Sequence, residues 1–110
     1  MRRIHYAEGS ILTGDALAET VVRYARALAQ VGTADTVDLP ILLDEGGFGR
    51  SQLLIGPASQ LVTTPSDGDL PELVDAALVA DLEDRLAALA PTPRAEPFDD
   101  ATRVDLDFED

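Results

Sequence analysis

Leu53-Leu54-Ile55-Gly56-Pro57-Ala58-Ser59-Gln60-Leu61-Val62 is the densest apolar run between two helix patterns, and Gly56-Pro57 breaks it in the middle. Leu53, Leu54 and Ile55 before the break, and Leu61, Val62 and Thr63 after it, have the apolar or branched character that suits a pleated, half-buried surface. The Gly-Pro pair supplies a bend. The stretch therefore reads as two central strands joined by a turn, with an amphipathic helix on either side to cover one face.

Outward from this run, the upstream pattern is also that of a sheet. Val37, Leu39 and Ile41 alternate with Asp38 and Pro40, giving a strand whose proline cannot donate a ladder hydrogen bond and so belongs at a rim or bulge. Asp44-Glu45-Gly46-Gly47-Phe48-Gly49 reads as a hairpin tip leading into a strand from Arg50 to Ile55. Gly56 to Ser59 turns into a further strand from Gln60 to Thr64, and connections this short predict three consecutive antiparallel strands.

Leu17, Val21, Tyr24, Leu28 and Val31 recur at spacings of four, three, four and three, while Glu19, Arg23, Arg26 and Gln30 lie off that stripe. This spacing predicts an amphipathic helix, capped at its start by Thr13 or Asp15 and closed by Gly32 in a left-handed conformation. Before it, Arg3 to Ala7 alternates as a strand, Glu8-Gly9 turns, and Ile11 and Leu12 either pair briefly with that strand or staple the start of the helix.

Beyond the loop Thr64 to Asp69, Asp69 with Pro71 and Glu72 is a helix-start signature. Leu70, Val74, Leu78, Leu82, Leu86 and Leu89 then stripe a second helix ending near Ala90, where Pro91 and Pro93 stop it. The order β-α-β-β-β-α predicts an α+β fold in two layers, with a four-stranded, mostly antiparallel sheet and two helices packed on one face. Residues 1–94 form the domain, and 95–110 an acidic C-terminal segment. There Val104, Leu106 and Phe108 alternate with Asp105, Asp107 and Glu109, a candidate extra strand for a sheet edge of this chain or another.

The 110 residues suffice for one core. No apolar run approaches the roughly 18 residues of a membrane span, and Met1-Arg2-Arg3 is not followed by the apolar stretch of a signal peptide. The cytoplasm is the expected compartment. Twenty-one acidic residues face eight basic ones, all Arg, giving a net charge of −13. Such a chain repels phosphate backbones, so nucleic acid is not expected as a partner, nor is a membrane. The Lys-free composition reads as that of a GC-rich bacterial or salt-adapted proteome, and secondarily as a surface that meets a basic protein.

No motif demands a reaction. Gly46-Gly47-Phe48-Gly49 lacks the Lys-Ser/Thr ending and the strand-to-helix setting of a phosphate loop, so its glycines read as hairpin residues with positive φ. Phe48 is expected to pack back over the sheet, with an interface anchor as the alternative. His5 is the only histidine and has no identifiable nucleophile or orienting partner. Ser59 and Gln60 offer a hydroxyl and an amide, which turn chemistry also explains. Asp67-Gly68-Asp69 falls short of a calcium loop, and neither cofactor nor metal is expected.

The leading expectation is a small acidic non-enzymatic module that binds a protein partner or itself, as a homodimer. The alternative is a small enzyme or ligand-binding domain with its site over the sheet or between subunits, near His5, Arg50 and Ser59. Candidate interaction or ligand residues are His5, Phe48, Arg50, Ser59, Gln60, Val104, Leu106 and Phe108.

Overall fold

The computed structural model describes residues 1–7, 9–66 and 70–89. Their order is β1 (Arg2–Tyr6), β2 (Gly9–Thr13), α1 (Asp15–Val31), β3 (Asp35–Leu42), β4 (Phe48–Ile55), β5 (Val62–Pro65) and α2 (Ala76–Leu89). The fold is α+β, with the strands in one antiparallel sheet of order β4-β3-β2-β1-β5. The sheet has five strands rather than four because Ile11 and Leu12 belong to a full strand: β1 and β2 pair from Arg2↔Thr13 to Tyr6↔Gly9. The candidate strand at Val104–Phe108 lies outside the described residues.

The two strands of the Leu53–Val62 run are not central. They form the two edges of the sheet, and β5 pairs with β1 rather than with β4. The six residues Gly56–Leu61 between them can span roughly 20 Å, so they need not return the chain to β4. Instead they close a turn on themselves, Gly56 N–H donating to Ser59 Oγ at 2.9 Å and Ser59 N–H to the Gly56 carbonyl at 3.0 Å. Leu61 then packs against the core and Val62 opens the ladder with His5.

Pro40 obeys its chemistry without lying on an edge. Leu43 N–H donates to the Gly47 carbonyl at 2.7 Å and Gly46 N–H to the Leu43 carbonyl at 2.9 Å, with Gly46 at φ 96°. This is a bulged hairpin turn. Antiparallel alternation from that pair turns the peptide groups of Gly49, Ser51, Leu53 and Ile55 toward β3, and those of Phe48, Arg50, Gln52 and Leu54 outward. On β3 the same alternation turns Pro40 toward β2. There the register has a single pair, Leu12↔Leu42, and the Thr13 hydroxyl donates to the Pro40 carbonyl at 2.8 Å.

One face of the sheet carries Ile4, Ile11, Val37, Leu39, Ile41, Leu53 and Ile55, all buried in one cluster with Leu17, Val21, Tyr24 and Leu28 of α1 and Leu82 of α2. The predicted stripe of α1 is therefore the buried one, except at Val31, which is exposed in the last turn. Gly32 closes the helix at φ 70°, and Thr33 N–H donates to the Leu28 carbonyl.

Its start differs from expectation. Gly14 is the N-cap, since the Thr13 hydroxyl is taken by Pro40, and the carboxylate of Glu72 accepts the Asp15 N–H. A Cβ on Gly14 would lie 1.8 Å from the Leu73 carbonyl oxygen, so only glycine admits this close crossing of two backbones.

Commitment of Glu72 to α1 also explains why α2 begins later than Asp69-Pro71-Glu72 suggests. Residues 70–75 are irregular, and Asp75 caps the helix by accepting the Leu78 N–H at 3.0 Å. Leu70 and Val74 fall outside the helix and are exposed, while Leu82 is buried and Leu78, Leu86 and Leu89 pack against the core.

Candidate functional site

Among the described residues, no helix lies over the far face of the sheet. Alternation places Arg3 and His5 of β1, Ser10 and Leu12 of β2, Leu42 of β3, and Phe48, Arg50, Gln52 and Leu54 of β4 on that side. Leu12 is buried there between its register neighbours Arg3 and Leu42, outside the main cluster. Phe48, 67% exposed, does not pack back over the sheet, because the bulged turn leaves it at the first pair of the hairpin with the small Gly47 and Gly49 beside it.

The sheet curls so that both edges meet one cleft of about 920 Å³. One wall is the outer edge of β4 from Ser51 to Ile55, the other is the end of β1 at His5, Tyr6 and Ala7 with Val62 of β5, and the Ala58–Leu61 segment closes one end. Two of the outward peptide groups of β4, those of Gln52 and Leu54, lie on this wall. Leu54 and Val62 are 75% and 59% exposed. Among the described residues, none of those lining the cleft is Asp or Glu, in a chain where 21 of 110 residues are acidic.

The cleft brings together three of the predicted residues, His5, Ser59 and Gln60. His5 Nε2 shares a hydrogen bond of 3.0 Å with Thr64 Oγ1, a cross-strand contact that fixes the ring, and Ser59 Oγ is an acceptor for the turn it closes. Arg50 stands apart on the far face, its Nε donating to Asp38 Oδ1 at 3.2 Å and its Nη2 to the Asp38 carbonyl at 3.1 Å. Phe48 also lies away from the cleft, at the hairpin end of the same strand. Val104, Leu106 and Phe108 lie outside the described residues. Tyr6, Gln52, Leu54 and Val62 were not among the predicted site residues; the alternation of β4 puts Leu54 on the face opposite Leu53 and Ile55, but nothing local reveals that two distant edges share a cleft.

A second polar cluster sits behind the core. The buried Tyr24 hydroxyl donates to Asp35, Arg85 Nη1 donates to Asp35 Oδ2 at 3.0 Å and to the Thr36 carbonyl at 3.3 Å, and Arg85 Nη2 pairs with Asp81 at 2.8 Å. It ties α1, β3 and α2 together. The Tyr24 hydroxyl, then the Thr36 N–H, hold the Asp35 carboxyl below its usual range, while burial and then Asp35 itself push the Tyr24 phenol up.

The amino group of Met1 similarly bridges Glu72 Oε1 at 2.8 Å and Asp15 Oδ1 at 3.0 Å. Those two acceptors, Glu72 first, raise its pKa. Both clusters saturate their partners with one another, the pattern of structural ties rather than of a poised acid and base.

Among the described residues no group of three or more His, Asp or Glu side chains is placed to hold a metal ion, and no helix is long and apolar enough to cross a membrane. No protein-family model, curated protein or solved structure matched the chain.

Proposed function

We propose that this chain is a small non-enzymatic protein-binding module of the cytoplasm, which takes up an extended segment along β4 by strand addition. The observation that carries this reading is the set of outward peptide groups at Gln52 and Leu54, set in a cleft whose described lining residues include no Asp or Glu, beside the exposed side chains of Leu54 and Val62. An added strand gains main-chain hydrogen bonds from the edge and buries apolar side chains against the walls.

The alternative is a small-ligand site. Its support is the size of the cleft, within the roughly 300–1,000 Å³ of ordinary ligand pockets, and the convergence there of His5, Ser59 and Gln60. The polar clusters elsewhere in the chain offer no acid and base to act on such a ligand.

Affinity capture from the native host with the full chain and its Leu54→Asp variant tests the leading reading. The expected result is a stoichiometric protein partner held by the former and lost by the latter. Equal capture by both, or none by either, overturns it.

A further inference from the structure

We propose that the segment occupying this cleft in the free chain is the chain's own Val104–Phe108, added in cis as a sixth strand against β4; the proposal rests on the strand-addition reading above. Three observations select this occupant.

The first is pattern. A strand on the β4 edge turns alternate side chains to opposite faces, and Val104, Leu106 and Phe108 alternate with Asp105, Asp107 and Glu109. One set can therefore lie against Leu54 and Val62, the exposed apolar side chains of the cleft, while the other turns to the opposite face. No other stretch outside the described residues has this alternation: 67–69 is Asp-Gly-Asp, and 90–103 holds Pro91, Pro93 and Pro97.

The second is charge. Three carboxylates brought onto residues 1–94, which carry 14 acidic side chains against 7 Arg, meet an excess of negative charge, and the described residues lining the cleft carry none. The third is reach. Fourteen residues, 90–103, separate Leu89 from Val104. Extended, they span roughly 45 Å, more than the roughly 30 Å across a compact domain of this size. A tether of that length holds the segment at an effective concentration on the order of millimolar, which favours the chain's own cleft over a neighbour's in dilute solution. An outside partner then binds by displacing the segment.

The test is amide hydrogen exchange by NMR on the full chain and on full-length Leu106→Asp and Phe108→Ala variants, with the core amide of Leu39 as the control for folding. The substitutions lie outside the described fold, so Leu39 should not change. In the unsubstituted chain the Gln52 and Leu54 amides should exchange about tenfold or more slower than in Leu106→Asp, with Phe108→Ala between them, and independently of protein concentration.

Equal exchange in all three chains overturns the proposal. If the two amides are protected in all of them, something other than this segment covers the edge, and strand addition itself stands. Rapid exchange in all of them leaves the edge bare, and the capture experiment alone then decides the function. Protection that rises with concentration assigns the contact to a second copy and also overturns the cis arrangement.

Discussion

Leu53 and Leu54 are the same side chain one residue apart on one strand, and they are 8% and 75% exposed. The difference is parity alone. Leu53 faces the layer of α1 and α2, and Leu54 faces the side that no helix covers among the described residues. On the covered face an apolar side chain is buried in the core and its loss leaves a cavity, whereas on the bare face it contributes little to the stability of the described fold.

The largest expected effect is on the covered face. Leu28→Ala, at a site 1% exposed under the sheet, should destabilise by about 2 to 5 kcal/mol in chemical denaturation, while the exposed Arg26→Ala should be nearly silent. Equal losses would mean that the helical layer does not make the difference between the faces.

The adjacent leucines sharpen the same contrast. In the Leu106→Asp background, Leu53→Ala should cost about 2 to 4 kcal/mol, and Leu54→Ala less than about 0.5 kcal/mol. The same Leu54→Ala substitution in the otherwise unsubstituted chain should cost more, because the added segment covers that side chain; an equally small loss there would show the face bare in the free protein.

Smaller effects fall on the polar tie behind the core. Tyr24→Phe should cost about 1 to 2 kcal/mol by removing one hydrogen bond to a carboxylate. Because Asp35 titrates lower in the folded chain than in the unfolded one, its contribution is present above the ordinary carboxylate range near 4 and is lost as pH falls through its depressed folded value. Acid melts of the Tyr24→Phe chain should therefore show a shallower loss of stability over that range than those of the unsubstituted chain.

The smallest effect is that of salt. At net charge −13, sodium chloride should raise the melting midpoint modestly, since described pairs such as Arg23 with Glu83 and Arg50 with Asp38 are exposed and lose under screening part of what the general repulsion gains. A midpoint that falls with salt would give those pairs the greater weight.

Much of the fold was legible because its signals are local. Periodicity found α1 and the face it buries, alternation found β1, β3 and β4, and glycine at positive φ marked both the helix end and the hairpin. What was not legible depends on partners distant in sequence. Glu72 looks like the third residue of a capping motif for the helix beside it, yet it serves Asp15, and nothing in the neighbourhood of either residue reveals that competition. The order of strands failed for the same reason. A short connection makes β4 and β5 look like neighbours, whereas β5 pairs with β1, a ladder partner that cannot be read from the residues around the turn. The cleft follows from that separation, so the site was legible as separate residues without the geometry that joins His5, Ser59 and Gln60 to the β4 edge.

The single register pair between Leu12 and Leu42 has a mechanical consequence. The sheet is two ribbons, β3 with β4 and β1 with β2 and β5, joined at one corner, so the ladder itself offers little resistance to shear or rotation between them. Stiffness across that seam comes from α1, whose Leu17, Val21 and Leu28 share one apolar cluster with Ile4 and Ile11 of one ribbon and Val37 and Leu39 of the other. The angle between the ribbons sets the width of the gap between the outer strands. A substitution that loosens α1 against either ribbon should therefore alter the width of that gap as well as the stability of the core.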